Sequence, residues 1–153
     1  MESDCYVQMD LIKQLRKSWA WVEMDPIEVV GENDFGNLII KDKQGKYWRL
    51  CPEDLSCEIV AQDRKELDAL SQNQEFLHDW YMSALVEQAK ASLGPLTEGR
   101  KYCLKVPAVF GGEYGGDNLA TVPLVELVQF SGDLGRQIKD LPDGAEVEFK
   151  VVD

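Results

Sequence analysis

Histidine is nearly absent from this chain: His78 is the single imidazole in 153 residues. Cys5, Cys51, Cys57 and Cys103 are the only cysteines, and the closest two are separated by five residues. Neither a C-x-x-C nor an H-x-x-x-H ligand pair exists, so no structural zinc site and no cofactor is expected. The same spacing lacks the density of a disulfide framework and fits reduced thiols. No apolar run approaches the roughly 20 residues that a membrane span requires. Met1 to Asp10 carries Glu2, Asp4 and Asp10 and has no basic segment leading into an apolar one, so a secretory signal is not expected. These absences together predict a cytoplasmic protein.

Positive charge is also scarce. Lys and Arg number 16 against 28 Asp and Glu, a net charge of −12. Each phosphate contact needs a cation at the surface, so this composition excludes a protein that grips nucleic acid or anionic lipid by non-specific electrostatics. A basic partner suits it better. The excess of acid is seven in residues 1–76 and five in residues 77–153, so the fold itself is acidic and carries no polyacidic tail. Two stretches hold no Lys or Arg at all. From Trp19 to Asp34 stand Glu23, Asp25, Glu28, Glu32 and Asp34, and from Val106 to Gly135 stand Glu113, Asp117, Glu126 and Asp133. Both are candidate acidic surfaces, and both also serve the plainer purpose of solubility.

What is present is enough for a core. The chain is 44% hydrophobic and 29% charged, with four Trp and five each of Tyr and Phe, so burial can offset ordering entropy in one domain over residues 1–153. Ile12, Leu15, Trp19 and Val22 recur at helical steps and predict an amphipathic helix over residues 8–21. Pro26 ends it. Four short β-rich runs follow, Ile27–Gly31, Asn37–Lys41, Tyr47–Cys51 and Ser56–Val60, joined by turns too short for parallel crossovers, which predicts an antiparallel meander. Asp63 and Glu66 have capping-box spacing for a short helix. One longer helix is predicted over Gln74–Leu93, with Leu77, Trp80, Tyr81, Ala84 and Leu85 on one side and Gly94-Pro95 as its stop.

Lys101–Val106 and Leu119–Val122 read as strands around a segment with four glycines in eight positions, Gly111 to Asn118. Leu127, Leu134, Ile138 and Leu141 give a last helix. Within it Gly132 and Gly135 each cost about 1 kcal/mol relative to Ala, so that helix is either broken or packed very closely on a neighbour. Leu141-Pro142-Asp143-Gly144 turns into an alternating strand through Val147, Phe149 and Val151. The fold class is therefore α+β: a single domain with an antiparallel β meander plus further strands, packed with three to four helices.

The glycine-rich segment has no following Lys or helix start, and Glu113 and Asp117 would repel a phosphate, so it is not a nucleotide loop. It is either a tight structural loop with positive φ at several glycines or a contact loop presenting Gly112, Glu113, Tyr114, Asp117 and Asn118 to a basic surface. Glu23, Asp25 and Glu28 form the second candidate partner-binding set. A nucleophile would require Cys103 beside His78, which nothing in the spacing places together. Trp19, Trp21, Trp48 and Trp80 suit core packing, since the basic groove that accompanies base-stacking platforms is lacking.

Taken in combination, certain motifs point to a family. They are the run from Trp80 through Ser92-Leu93-Gly94-Pro95, then Gly99-Arg100-Lys101-Tyr102-Cys103, then Pro107-Ala108-Val109-Phe110-Gly111-Gly112-Glu113-Tyr114 with Asn118, and Gln137-Ile138-Lys139-Asp140 running into Leu141-Pro142-Asp143-Gly144. Together they resemble the C-terminal domain of the Tdi type of type VI secretion immunity proteins, most strongly over residues 73–153. Phe110 stands where that pattern has Leu. A weaker similarity extends to Trp19-Ala20-Trp21 and Phe35-Gly36-Asn37-Leu38. The resemblance implies a non-enzymatic protein that binds and blocks a cognate secreted toxin, such as a type VI DNase effector; the acidic composition adds that the toxin surface should be basic and that the protein itself should bind neither nucleic acid nor membrane. The alternatives from the residues alone are a general cytoplasmic interaction or scaffold module and, less favoured, a small Cys/His hydrolase.

Overall fold

The computed structural model describes residues 2–141; the expected turn and strand from Pro142 to Val151 lie outside the described residues. The elements are α1 (Glu2–Ser18), β1 (Pro26–Glu32), β2 (Leu38–Asp42), β3 (Tyr47–Cys51), β4 (Ser56–Ala61), α2 (Arg64–Leu70), α3 (Gln74–Tyr81), α4 (Ser83–Leu93), β5 (Arg100–Leu104), β6 (Leu119–Pro123) and α5 (Leu124–Ile138). Strands β1 to β4 form an antiparallel sheet in sequence order, and β5 and β6 pair as a second antiparallel sheet. The α+β class and the meander are as the sequence predicts.

Alternation along the strands sends side chains to two different cores. On one face, Leu38, Ile40 and Leu50 pack with Leu11, Leu15, Trp19, Leu124 and Val128 of the α1–α5 layer. On the other, Ile39, Tyr47 and Ala61 pack with Leu67, Phe76 and Trp80 of α2 and α3. A third cluster of Phe35, Ala89, Tyr102, Leu104 and Leu119 joins α4 to the second sheet. The helix α1 also covers the free edge of β1. Gln8 Nε2 donates to the Val29 carbonyl at 3.0 Å, and Arg16 Nη2 donates to the Pro26 carbonyl at 2.9 Å, which removes acceptors that an unpaired edge would offer to another chain.

The single helix expected over Gln74–Leu93 is two. Met82 sits at φ 48° and ψ 39°, a left-handed conformation that ends α3 and starts α4. The reason is tertiary. Phe76 and Trp80 belong to the sheet-face cluster, whereas Met82, Leu85 and Val86 belong to the cluster against β5 and β6, and one straight rod cannot reach both. Asn33 holds the break by donating from Nδ2 to the Trp80 carbonyl at 2.8 Å. At α2, Asp63 Oδ1 accepts from the Glu66 amide as expected, but Glu66 reaches back to the Gln62 amide, one residue beyond Asp63.

Helix α5 is unbroken because its glycines are the points of closest approach. A Cβ on Gly132 would stand 2.5 Å from the Ser18 carbonyl oxygen, and one on Gly135 would stand 2.7 Å from the Trp21 ring. Gly132→Ala gains about 1 kcal/mol of helix propensity, yet its methyl meets backbone, which no rotamer change relieves. The expected net result is a loss of about 1–2 kcal/mol, overpacking outweighing propensity. A lower urea midpoint at unchanged slope checks it.

Candidate functional site

The glycine-rich segment is a loop tied at its base by one side chain. Asn118 Oδ1 accepts from the Val106 amide at 2.9 Å, while its Nδ2 donates to the carbonyls of Val106 and Glu113 at 3.0 and 2.8 Å. Gly112 lies so near the Val106 carbonyl that a Cβ would overlap it, at 1.8 Å. Gln88 of α4 pins the far side: its Oε1 accepts from the Gly116 amide at 2.8 Å, in space that a side chain on Gly115 would need. Three of the four glycines take positive φ, as a tight loop requires. Asn118 and Gly112 thus build the loop, and Glu113, Tyr114 and Asp117 carry the exposed side chains that it presents.

Tyr114 crosses to the first sheet. Its hydroxyl donates to Asp54 Oδ1 at 3.1 Å while the residue stays 52% exposed. Partial burial, then the charge and hydrogen bond of Asp54, raise its pKa above the usual tyrosine value, so it is a neutral donor at physiological pH. Asp54 belongs to the 3₁₀ turn Pro52–Asp54 after β3, and that turn is held from beneath. Buried Glu53 receives Asn37 Nδ2 on both carboxylate oxygens, at 3.1 and 3.0 Å. Asn37 Oδ1 in turn accepts from Arg49 Nε and Nη2 at 3.2 and 3.0 Å. Arg49 pairs through Nη1 with Asp79 and lies over the rings of Phe76 and Trp80, 5.7 and 5.2 Å from their centroids. Burial raises the Glu53 pKa above its ordinary value, partly opposed by hydrogen bonds from its own backbone and from Asn37.

Between the helix break and the loop lies an open cleft of about 420 Å³ lined by His78, Asp79, Met82, Leu85, Gln88 and Tyr114. The break at Met82 makes this cleft, which is why a helix read as continuous gave no sign of it. Cys103 lines a different, small cavity of about 20 Å³ with Phe35, Leu127 and Phe130, so Cys103 and His78 do not share a pocket. Burial pushes the Cys103 thiol up to about 11 and those of Cys51 and Cys57 to about 12, which leaves them protonated and poorly nucleophilic at neutral pH. Cys51, Glu53 and Asp54 bring one ligand atom each within 4.8 Å of one another. Glu53 and Asp54 already accept hydrogen bonds from Asn37 and Tyr114, and three ligands with a protonated thiol fall short of a tetrahedral zinc set.

The second candidate set lies elsewhere. Glu23 and Asp25 line a groove of about 310 Å³ that also contains Asp42, Lys43, Lys46 and Trp48. Glu28 is exposed on β1 in register with Lys41, and Glu32 pairs with Lys101 at 2.9 Å. The stretch without cations in the sequence therefore acquires them from β2, its turn and β5. Asp42 is committed internally: burial pushes its pKa up, but the Trp48 indole and the Lys46 and Gln44 amides outweigh that and hold it low. No hydrogen bond or shared cavity joins this groove to the glycine-rich loop among the described residues.

No helix of the described residues is long and apolar enough to cross a membrane. Residues 61–135 match the family model described as T6SS immunity protein Tdi1, C-terminal. The match starts at the end of β4 and runs into α5, so it contains α2, the split helix, β5, the loop and β6. It begins earlier and ends earlier than the 73–153 span of the sequence resemblance, and leaves Leu141 to Gly144 beyond it. It implies a protein of type VI secretion immunity that neutralises a toxin. No curated protein matches the chain.

Proposed function

We propose, with that family match as the premise, that the protein binds a cognate secreted toxin, a type VI DNase effector, and blocks it by covering its basic functional surface. The observation that carries this reading is the loop within the matched segment, whose interior bonds are supplied by Asn118 and Gln88 and whose exterior is Glu113, Tyr114 and Asp117. An aromatic anchor flanked by acids, held rigid before contact, suits a cationic partner and lowers the ordering cost of binding. The wider acidic surface steers the approach. The protein acts as a binding partner in the cytoplasm and not as an enzyme.

Mixing the chain with the product of the neighbouring toxin gene should give a stable complex by size exclusion; its absence would count heavily against immunity. Glu113→Lys with Asp117→Lys should then slow association by about tenfold or more at low salt, an effect that fades as ionic strength rises. Reversal of Glu23, Asp25 and Glu28 tests the second candidate set. Lysines already flank it, so the expected change there is smaller. A scaffold whose acids serve solubility alone would be indifferent to both.

A further inference from the structure

We infer that the cleft between the α3–α4 break and the glycine-rich loop is a receiving pocket for an arginine side chain of the partner. Its floor is Met82 and Leu85, apolar surface that suits the methylene stem of a long basic side chain. Its rim is the half-exposed ring of Tyr114, restrained by the hydroxyl bond to Asp54, a preset face for a cation to stack on. Asp79 lines the same cleft, and its carboxylate is 71% exposed although it already holds Arg49. A carboxylate has lone pairs for more than one donor, and a guanidinium has five N–H groups in a planar fork. Lysine offers a point charge without that plane.

The protein already performs this recognition once within its own fold. Arg49 stacks over Phe76 and Trp80 and is clamped by the same Asp79. A second guanidinium entering from solvent would meet an aromatic face and a carboxylate in the same combination. Asp54 beside Tyr114, and Glu113 and Asp117 on the loop, supply further negative charge at the entrance. His78, exposed on α3, and the Nε2 group of Gln88, whose Oε1 holds the Gly116 amide, are placed to contact the backbone that carries the arginine.

The identity of the partner rests on the immunity reading; the pocket does not, and the experiment separates them. The full chain labelled with nitrogen-15 is titrated with a blocked Gly-Arg-Gly peptide and with its lysine and norleucine counterparts. The arginine peptide should shift signals of Ser83, Gln88 and Tyr114, with binding about fivefold weaker for lysine and none for norleucine. Ala84→Trp, which fills the cleft from an exposed position, and Tyr114→Ala should each weaken the arginine peptide by about tenfold. An equal response to all three peptides, or one that survives both substitutions, overturns the pocket. Toxin binding is then measured with the same variants. If the toxin binds both variants as tightly as the unmodified chain, the cleft is not the contact and immunity stands. If the unmodified chain takes the arginine peptide but ignores the toxin, the pocket stands and the immunity reading falls.

Discussion

Trp19→Ala should lower the unfolding free energy by about 3–5 kcal/mol, the range for removing a large aromatic from a core. Trp19 is fully buried, and its cluster joins α1, the first sheet and α5. Its indole Nε1 donates to the Val128 carbonyl at 3.0 Å, and its ring stacks on Trp21 with centroids 5.3 Å apart. Alanine therefore leaves a cavity at the junction of three elements, and Trp21 loses its stacking face. Since domains of this kind are stable by about 5–15 kcal/mol, the loss is a large share of the whole. Trp19→Phe separates the terms. It retains most of the packing and gives up only the indole bond to the Val128 carbonyl, so the expected loss is less than half that of alanine. Urea unfolding followed by circular dichroism measures both, and a Trp19→Ala midpoint equal to that of the unmodified chain would refute the assignment.

Trp19 is also a case in which the sequence was sufficient. It falls on the helical stripe with Ile12 and Leu15, and burial on that stripe is a local property of period and composition. The four strands were legible for a similar reason. Turns such as Asn33 to Gly36 and Asp42 to Gly45 are set by side chains that bond their own backbone, as Asn33 Oδ1 does to the Phe35 and Asn37 amides. The glycines of α5 were legible as an anomaly, though not their partners Ser18 and Trp21. The helix break at Met82 was not legible. Leu77, Trp80, Ala84 and Leu85 keep helical spacing across it, and only the presence of two separate cores decides against continuity.

The candidate site divides along the same line. Glu113 and Tyr114 could be singled out because four glycines and a scarcity of cations mark the loop in any single reading. Their supports could not, because Asp54, Gln88 and the chain from Glu53 to Asp79 are contacts between segments far apart in sequence. Charge was legible only as a local density. Lys41, Lys43, Lys46 and Lys101 reach the 19–34 stretch through strand pairing and turns, which no inspection of that stretch reveals. Asn118 shows how one residue type supports two readings. An exposed acceptor and a loop strap look alike until the partners of its amide are known.

Asn37→Ala should cost about 3 kcal/mol at neutral pH, because it removes together the one side-chain donor that reaches a buried carboxylate among the described residues and one of the two side-chain acceptors of a half-buried guanidinium, the other being Asp79. Asn37 is fully buried, donates to both oxygens of Glu53 and accepts from Nε and Nη2 of Arg49. With it gone, Glu53 must be protonated or stay charged and poorly solvated. The pH dependence follows from the direction of the Glu53 shift. Its folded pKa is raised by burial, so the folded chain binds the proton more tightly than the unfolded one. Stability from this group is greatest below the ordinary glutamate value and is lost as pH rises through the folded one. Without the Asn37 donors that pKa rises further, and the deficit of the variant should be small in acid and grow toward neutrality. A deficit independent of pH would show that Arg49, and not Glu53, is the group that Asn37 serves. The same turn carries Asp54 to Tyr114, so the variant should also bind toxin more weakly at temperatures where it remains folded. Glu53→Gln supplies the comparison: it removes the charge while keeping one acceptor for Asn37, and its stability should be nearly flat where that of Asn37→Ala falls.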